Sequence, residues 1–193
     1  MTMLNKLCLI LSGLGLVTAR PDLLAQMTPG AKVDVFKSVK PGQWAQIEGT
    51  AQADQSVLAT EVKILTGDFE DDDWEIFGAV RGVDPVKKEF EILSVKVRVN
   101  SDADYDSKDQ PDKFKSFTDI RIGQLLEAEG TYLKNGVFLA EEVQDKSIKK
   151  ADEAGMATLV GKVEKVDAAN RAITLMGITF HITPKTQAKS AIK

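Results

Sequence analysis

The sequence predicts an all-β protein of two small barrels, on three observations. Two kinds of half-unit recur along the chain out of phase with one another. Apolar and polar residues alternate within them at a period of two, as on a strand with one buried and one wet face. The predicted strands fall into groups of three and of two, separated by turn residues.

The first half-unit, a head, begins near Trp74 and returns near Ala157 at an offset of 83 residues, without gaps. Gly78, Val80, Val83 and Asp84 recur as Gly161, Val163, Val166 and Asp167, and Val95, Val97 and Val99 as Ile178, Phe180 and Ile182. The second half-unit, a tail, returns at an offset of 81: Gly42, Trp44, Glu48, Gly49, Ala59, Glu61 and Val62 become Gly123, Leu125, Glu129, Gly130, Ala140, Glu142 and Val143. The chain order is tail, head, tail, head, a repetition that must be settled before any topology is drawn.

Each head reads as three strands, near 76–83, 89–94 and 95–100 and again near 158–166, 171–176 and 177–183. Asp84 and Asp167 start the first turn of each, because an Asp carboxylate bonds its own backbone ahead. Each tail reads as two strands, 43–52 with 56–64 and 124–133 with 137–144, the second pair joined through Asn135-Gly136, which tolerates positive φ. Three strands, a connection with a short helix and two strands is the order of an OB-type barrel. Residues 74–145 hold one complete unit. That leaves residues 33–65 and 156–186, neither of which buries its apolar face alone, and open strand edges invite aggregation. The expectation is that these two close on one another as a second OB-like barrel; the competing arrangement pairs each tail with the head that follows it.

The N-terminus reads differently. Lys6 precedes an apolar run over 7–17, the pattern of an export signal, with small residues offering cleavage after Ala19 or Ala25. Residues 1–25 are therefore expected to be a signal peptide and the mature protein periplasmic or secreted. Cys8, the only cysteine, lies inside that run, so thiol catalysis and cysteine-metal sites are excluded from the mature chain. The whole chain carries a formal charge of −4; loss of Lys6, Arg20 and Asp22 makes it more acidic, against a general affinity for nucleic acid. No later segment is apolar enough to span a membrane.

The pattern carried by Gly78, Val80, Val83 and Asp84, then Phe117, Asp119, Ile120 and Gly123, then Glu127, Glu129, Gly130, Ala140, Glu142 and Val143 resembles the DUF5666 family of exported bacterial repeat domains. The resemblance implies an exported, barrel-like module of unknown function, and it implies no catalytic residue.

Candidate sites are few. Asp102, Asp104 and Asp106 fall at alternate positions in an acidic loop, 102–109, as in the first half of a calcium loop. The full loop pattern fails, with Ser107 where Gly is required and Lys113 where a bidentate Glu belongs. The second head shows only Thr183-Pro184-Lys185-Thr186, so the acidic stretch reads as an unrepeated insertion. Asp68, Glu70, Asp71, Asp72, Asp73 and Glu75 form a second acidic run, read as a linker. A cation site shared by the two runs requires that they meet in space. Glu48 and Glu129, like Glu61 and Glu142, occupy matching repeat positions, either as a functional ring or as charges that protect strand edges. His181, the only histidine, sits between inward-facing Phe180 and Ile182 and should point to solvent. Trp44, Trp74, Tyr105 and Tyr132 read as too scattered for a base-stacking platform. The reading is an exported, non-enzymatic binding or structural module of the cell envelope, with an envelope protein, glycan or small ligand as partner and no cofactor. The alternative is a calcium-binding module using Asp102, Asp104 and Asp106.

Overall fold

A computed structural model describes residues 34–108, 112–133 and 135–192. The expected signal peptide at 1–25 and Asp109 of the acidic stretch lie outside these. The regular structure of the described residues is almost entirely strand. In order it forms β1 (Trp44–Ala51), β2 (Val57–Thr66), β3 (Trp74–Asp84), β4 (Glu89–Ile92) and β5 (Val95–Asp106). There follow β6 (Leu125–Leu133), β7 (Val137–Asp145), β8 (Met156–Lys162), β9 (Lys165–Asp167), β10 (Ala172–Leu175) and β11 (Ile178–Ile192). One helical turn, α1 (Val35–Ser38), precedes β1, and a 3₁₀ turn at Phe117–Asp119 precedes β6. Among the described residues no helix is long and apolar enough to cross a membrane.

The central unit closes as a five-stranded barrel. β3 pairs with β4, β4 with β5, β5 with β7, β7 with β6, and β6 returns to β3. All pairings are antiparallel except β5 with β7, which is parallel. The same order recurs with β8 and β9 as the first strand, then β10, β11, β2 and β1. The N-terminal hairpin β1–β2 thus pairs with the C-terminal head, β1 along β8 and β2 along β11. The equivalence reaches single hydrogen bonds. Val80 N–H donates to the Gln124 carbonyl (2.9 Å), and Val163 N–H to the Gln43 carbonyl (2.8 Å).

β3 and β8, the first strands of the two heads, also pair antiparallel with one another at Glu75–Val160, Ile76–Leu159 and Phe77–Thr158. The two barrels therefore share one sheet, and their apolar interiors merge into one buried cluster that includes Ile47, Val57, Ile76, Phe90, Phe138, Leu159 and Phe180.

Two sequence features fix the tails. Each hairpin carries a bulge at the same place, Glu48/Gly49 and Glu129/Gly130. A β-carbon on Gly49 would lie 2.3 Å from the Leu58 carbonyl oxygen, and one on Gly130 2.1 Å from that of Leu139. Only glycine permits the partner backbone so close. The heads are fixed by their turns: Asp84 Oδ1 accepts from Val86 N–H (3.0 Å) and Lys87 N–H (3.1 Å), and Asp167 Oδ1 from Asn170 N–H (3.0 Å).

The third strand of each head runs further than the apolar alternation indicates. Residues 100–106 are the second half of β5, not a loop, and they pair with β7 beyond a bulge between Val99 and Asp104. β11 bulges at the equivalent place, between Ile182 and Gln187, and continues along β2. Over residues 100–106 the acidic stretch is thus no insertion. It is repeated in backbone, with Lys185, Gln187 and Lys189 standing where Asp102, Asp104 and Asp106 stand in the first head.

Candidate functional site

The register assembles a row of carboxylates that no local pattern displays. Glu75 on β3 lies opposite Glu129 on β6, Glu129 opposite Glu142 on β7, and Glu142 opposite Asp104 on β5. Like charges directly opposed on adjacent strands are destabilising, so this row is held against its own repulsion. The corresponding row of the second barrel is Thr158, Glu48, Glu61 and Gln187 on β8, β1, β2 and β11. Two of its four positions are neutral there. Glu61 has Lys189 Nζ at 2.5 Å and Lys63 Nζ at 3.8 Å, while Glu48 accepts from Gln46 Nε2 at 2.6 Å. The frame does not demand four acids.

The row runs into an open groove of about 660 Å³ on the central barrel. Its charged lining is Asp72, Asp73, Asp102, Asp104, Glu129, Glu141 and Glu142. The two acidic runs of the sequence do meet here: Asp72 and Asp73 from the β2–β3 connection face Asp102 and Asp104 of β5. Asp106 lies beyond, opposite Gln144. Strand geometry sets alternate residues about 6.6 Å apart along one face, so the three aspartates are spread out rather than wrapped around a centre. Among the described residues no group of three or more acidic, His or Cys side chains is arranged to hold a metal ion.

Electrostatics follow the burial. Glu75 is the most enclosed member of the row, and its carboxyl is pushed up to about 7, chiefly by burial and then by Glu127 and Glu129. Lys146 and Lys150 oppose this rise. Glu129 is also raised, by burial first and then by Glu142 and Glu127. At one end Lys146 pairs with Glu127 at 2.7 Å, both largely buried, and bonds Gln144, whose Nε2 donates to Glu142 Oε1 at 2.6 Å. The opposite end, at Asp102 and Asp104, opens to solvent.

Of the residues singled out from sequence, Asp102, Asp104, Glu129 and Glu142 come together at the groove. Glu48 and Glu61 oppose one another on the other barrel. His181 is exposed on β11, as its place between Phe180 and Ile182 requires. The aromatics are not scattered. Trp44 stacks on Phe69 at 5.0 Å between centroids, lies 5.2 Å from Trp74, and Trp74 lies 5.4 Å from Tyr132. Tyr105 alone stands apart, edge-on to Phe114. Sequence reasoning missed this row because its members come from a tail, a connection, a head and another tail.

The ring β3–β4–β5–β7–β6, in which the first three strands run in sequence order and the last two are exchanged, and an open polar groove define an OB-type barrel module. The match to the family model "Domain of unknown function (DUF5666)" covers residues 25–63 and 77–144, more than half of the chain. The chain belongs to that family. No curated protein and no solved structure matches it.

Proposed function

We propose that this chain is an exported, non-enzymatic binding module of the bacterial cell envelope, and that the acidic groove of its central barrel receives a Lys- or Arg-rich segment of another protein. The observation that supports this reading is the Glu75–Glu129–Glu142–Asp104 row. It is retained at an electrostatic cost in one barrel, while the equivalent row of the other is half neutral and ion-paired. A groove lined by one sign of charge concentrates the opposite sign and steers its approach. Export rests on the N-terminal apolar run behind Lys6 and on the exported character of the family it resembles.

Anisotropy of a labelled octalysine peptide tests the groove. Binding that weakens with salt and is lost in Asp104→Asn/Glu142→Gln, but kept in Glu153→Gln, supports the proposal. Equal binding by the two variants rejects it. A melting midpoint that rises with calcium, and does not rise in Asp102→Asn, would favour the metal reading instead. Fractionation of cells producing the full chain tests export, and recovery solely from the cytoplasm refutes it.

A further inference from the structure

A second cavity, of about 510 Å³, lies where the two barrels meet and shares no lining residue with the acidic groove. Trp74 and Tyr132 form its apolar wall, and Thr131, Asp71, Lys162 and Glu164 supply polar groups. Behind Trp74 the aromatic row continues through Trp44 to Phe69. We infer that this cleft is a saccharide-binding site.

The barrel frame does not need these aromatics. At the repeat offsets, Trp44 corresponds to Leu125, Trp74 to Ala157 and Tyr132 to Ala51. A β-carbon placed on Gly78 would lie 3.8 Å from that of Ala157, whereas one placed on Gly161 would clash with the Trp74 ring at 2.2 Å. The same junction is thus built twice, once with Leu and Ala and once with Trp and Tyr. The aromatic version encloses a cavity within the size range of small-molecule sites.

The lining selects the chemistry. Among the described lining residues Lys162 is the one cation, and its ammonium is already 2.9 Å from Asp71. A phosphate would find no free positive charge, and Asp71 and Glu164 would repel it. The same ammonium stands 5.4 Å over the Trp44 ring, so the cation-binding capacity of that face is taken from within the chain. What remains is an aromatic wall flanked by both donors and acceptors. A neutral pyranose presents that complement: C–H groups on its face for the negative π-face of the rings, and hydroxyls at its edge that both donate and accept.

The chain's two tryptophans, Trp44 and Trp74, both lie in this row, so intrinsic fluorescence reports on it directly. The full chain is titrated with cellotriose, maltotriose and triacetylchitotriose. The expected result is a saturable emission change with at least one of them. Tyr132→Ala, whose side chain the other barrel already carries at Ala51, should weaken that binding about tenfold or more, equivalent to ~1.4 kcal/mol, measured below the variant's melting midpoint so that the folded protein is compared. Glu164→Gln, which keeps both tryptophans and an acceptor for Gly177 N–H, should also weaken it. No saturable change up to about 50 mM, far weaker than a millimolar site, overturns the inference. So does undiminished affinity in both variants, or a response to tetramethylammonium with none to any trisaccharide. None of these outcomes bears on octalysine binding at the acidic groove.

Discussion

Ile76 on β3 pairs directly with Leu159 on β8, and each is the other's counterpart in the repeat. Both are fully buried. Their neighbours obey the same relation: Glu75 faces Val160, the counterpart of Phe77, and Phe77 faces Thr158, the counterpart of Glu75. A pseudo-twofold axis therefore passes through the Ile76–Leu159 pair and relates the two barrels.

Truncation at the axis should damage both barrels. Ile76→Ala and Leu159→Ala should each cost about 2–5 kcal/mol in urea unfolding, the usual range for emptying a buried aliphatic site. Because the two side chains meet, the double variant should depart from additivity by ~0.5 kcal/mol or more. Strict additivity would mean that the strands do not pack through this pair.

The bulge glycines admit no side chain. Gly130→Ala should cost about 3 kcal/mol or more, since the Leu139 carbonyl oxygen stands where the methyl must go. Gly155→Ala, with nothing within 4 Å of its new β-carbon, should stay within about 0.5 kcal/mol of the parent. Unfolding midpoints of the pair decide the matter.

Stability should fall as pH rises from about 4.5 to about 7. The folded-state value of Glu75, near 7, lies above its ordinary value of 4.5. The native state then holds a proton that the unfolded chain has already released. The associated stabilisation is complete below about pH 4.5, declines between pH 4.5 and 7, and is absent above. It amounts to ~3 kcal/mol. Glu75→Gln should flatten this slope and leave the variant more stable than the parent at pH 8, which denaturation at pH 5 and pH 8 will show.

Neutralising the row should stabilise the fold while weakening the proposed binding. Asp104→Asn and Glu142→Gln relieve directly opposed like charges, each worth about 0.5 kcal/mol, and more at low salt than at high. A loss of stability in both would show that the row is structural.

The N-terminal hairpin and the C-terminal head should lose order together. Val57→Asp places a charge at a fully buried position opposite Phe180. Hydrogen exchange should rise in β1, β2 and β8–β11, with β4–β7 protected to a greater degree. Loss confined to β1 and β2 would refute the shared cooperativity.

The frame was legible because its determinants are local. Gly49 and Gly130 mark bulges, Asp84 and Asp167 mark turns, and the alternation of Val95, Val97 and Val99 marks a half-buried strand. The extensions of β5 and β11 escaped because that alternation stops at Val99 and Ile182, while pairing continues through backbone hydrogen bonds that leave no side-chain pattern. The candidate site was half legible. Repeat matching picked out Glu129 and Glu142, but their alignment with Glu75 and Asp104 is a matter of register between strands distant in sequence. The aromatic row was hidden for the same reason, its members being neighbours only once both barrels exist.

The wiring of β1–β2 onto β8 and β11 also sets a timetable. In a chain made from its N-terminus, the β1–β2 hairpin appears well before the strands that house it. The central barrel has all its strands once Asp145 has emerged, whereas Val57 waits for Phe180. Throughout that interval the hairpin carries an apolar face with nothing to cover it, which makes the growing chain a natural client for whatever shields unfolded segments during synthesis.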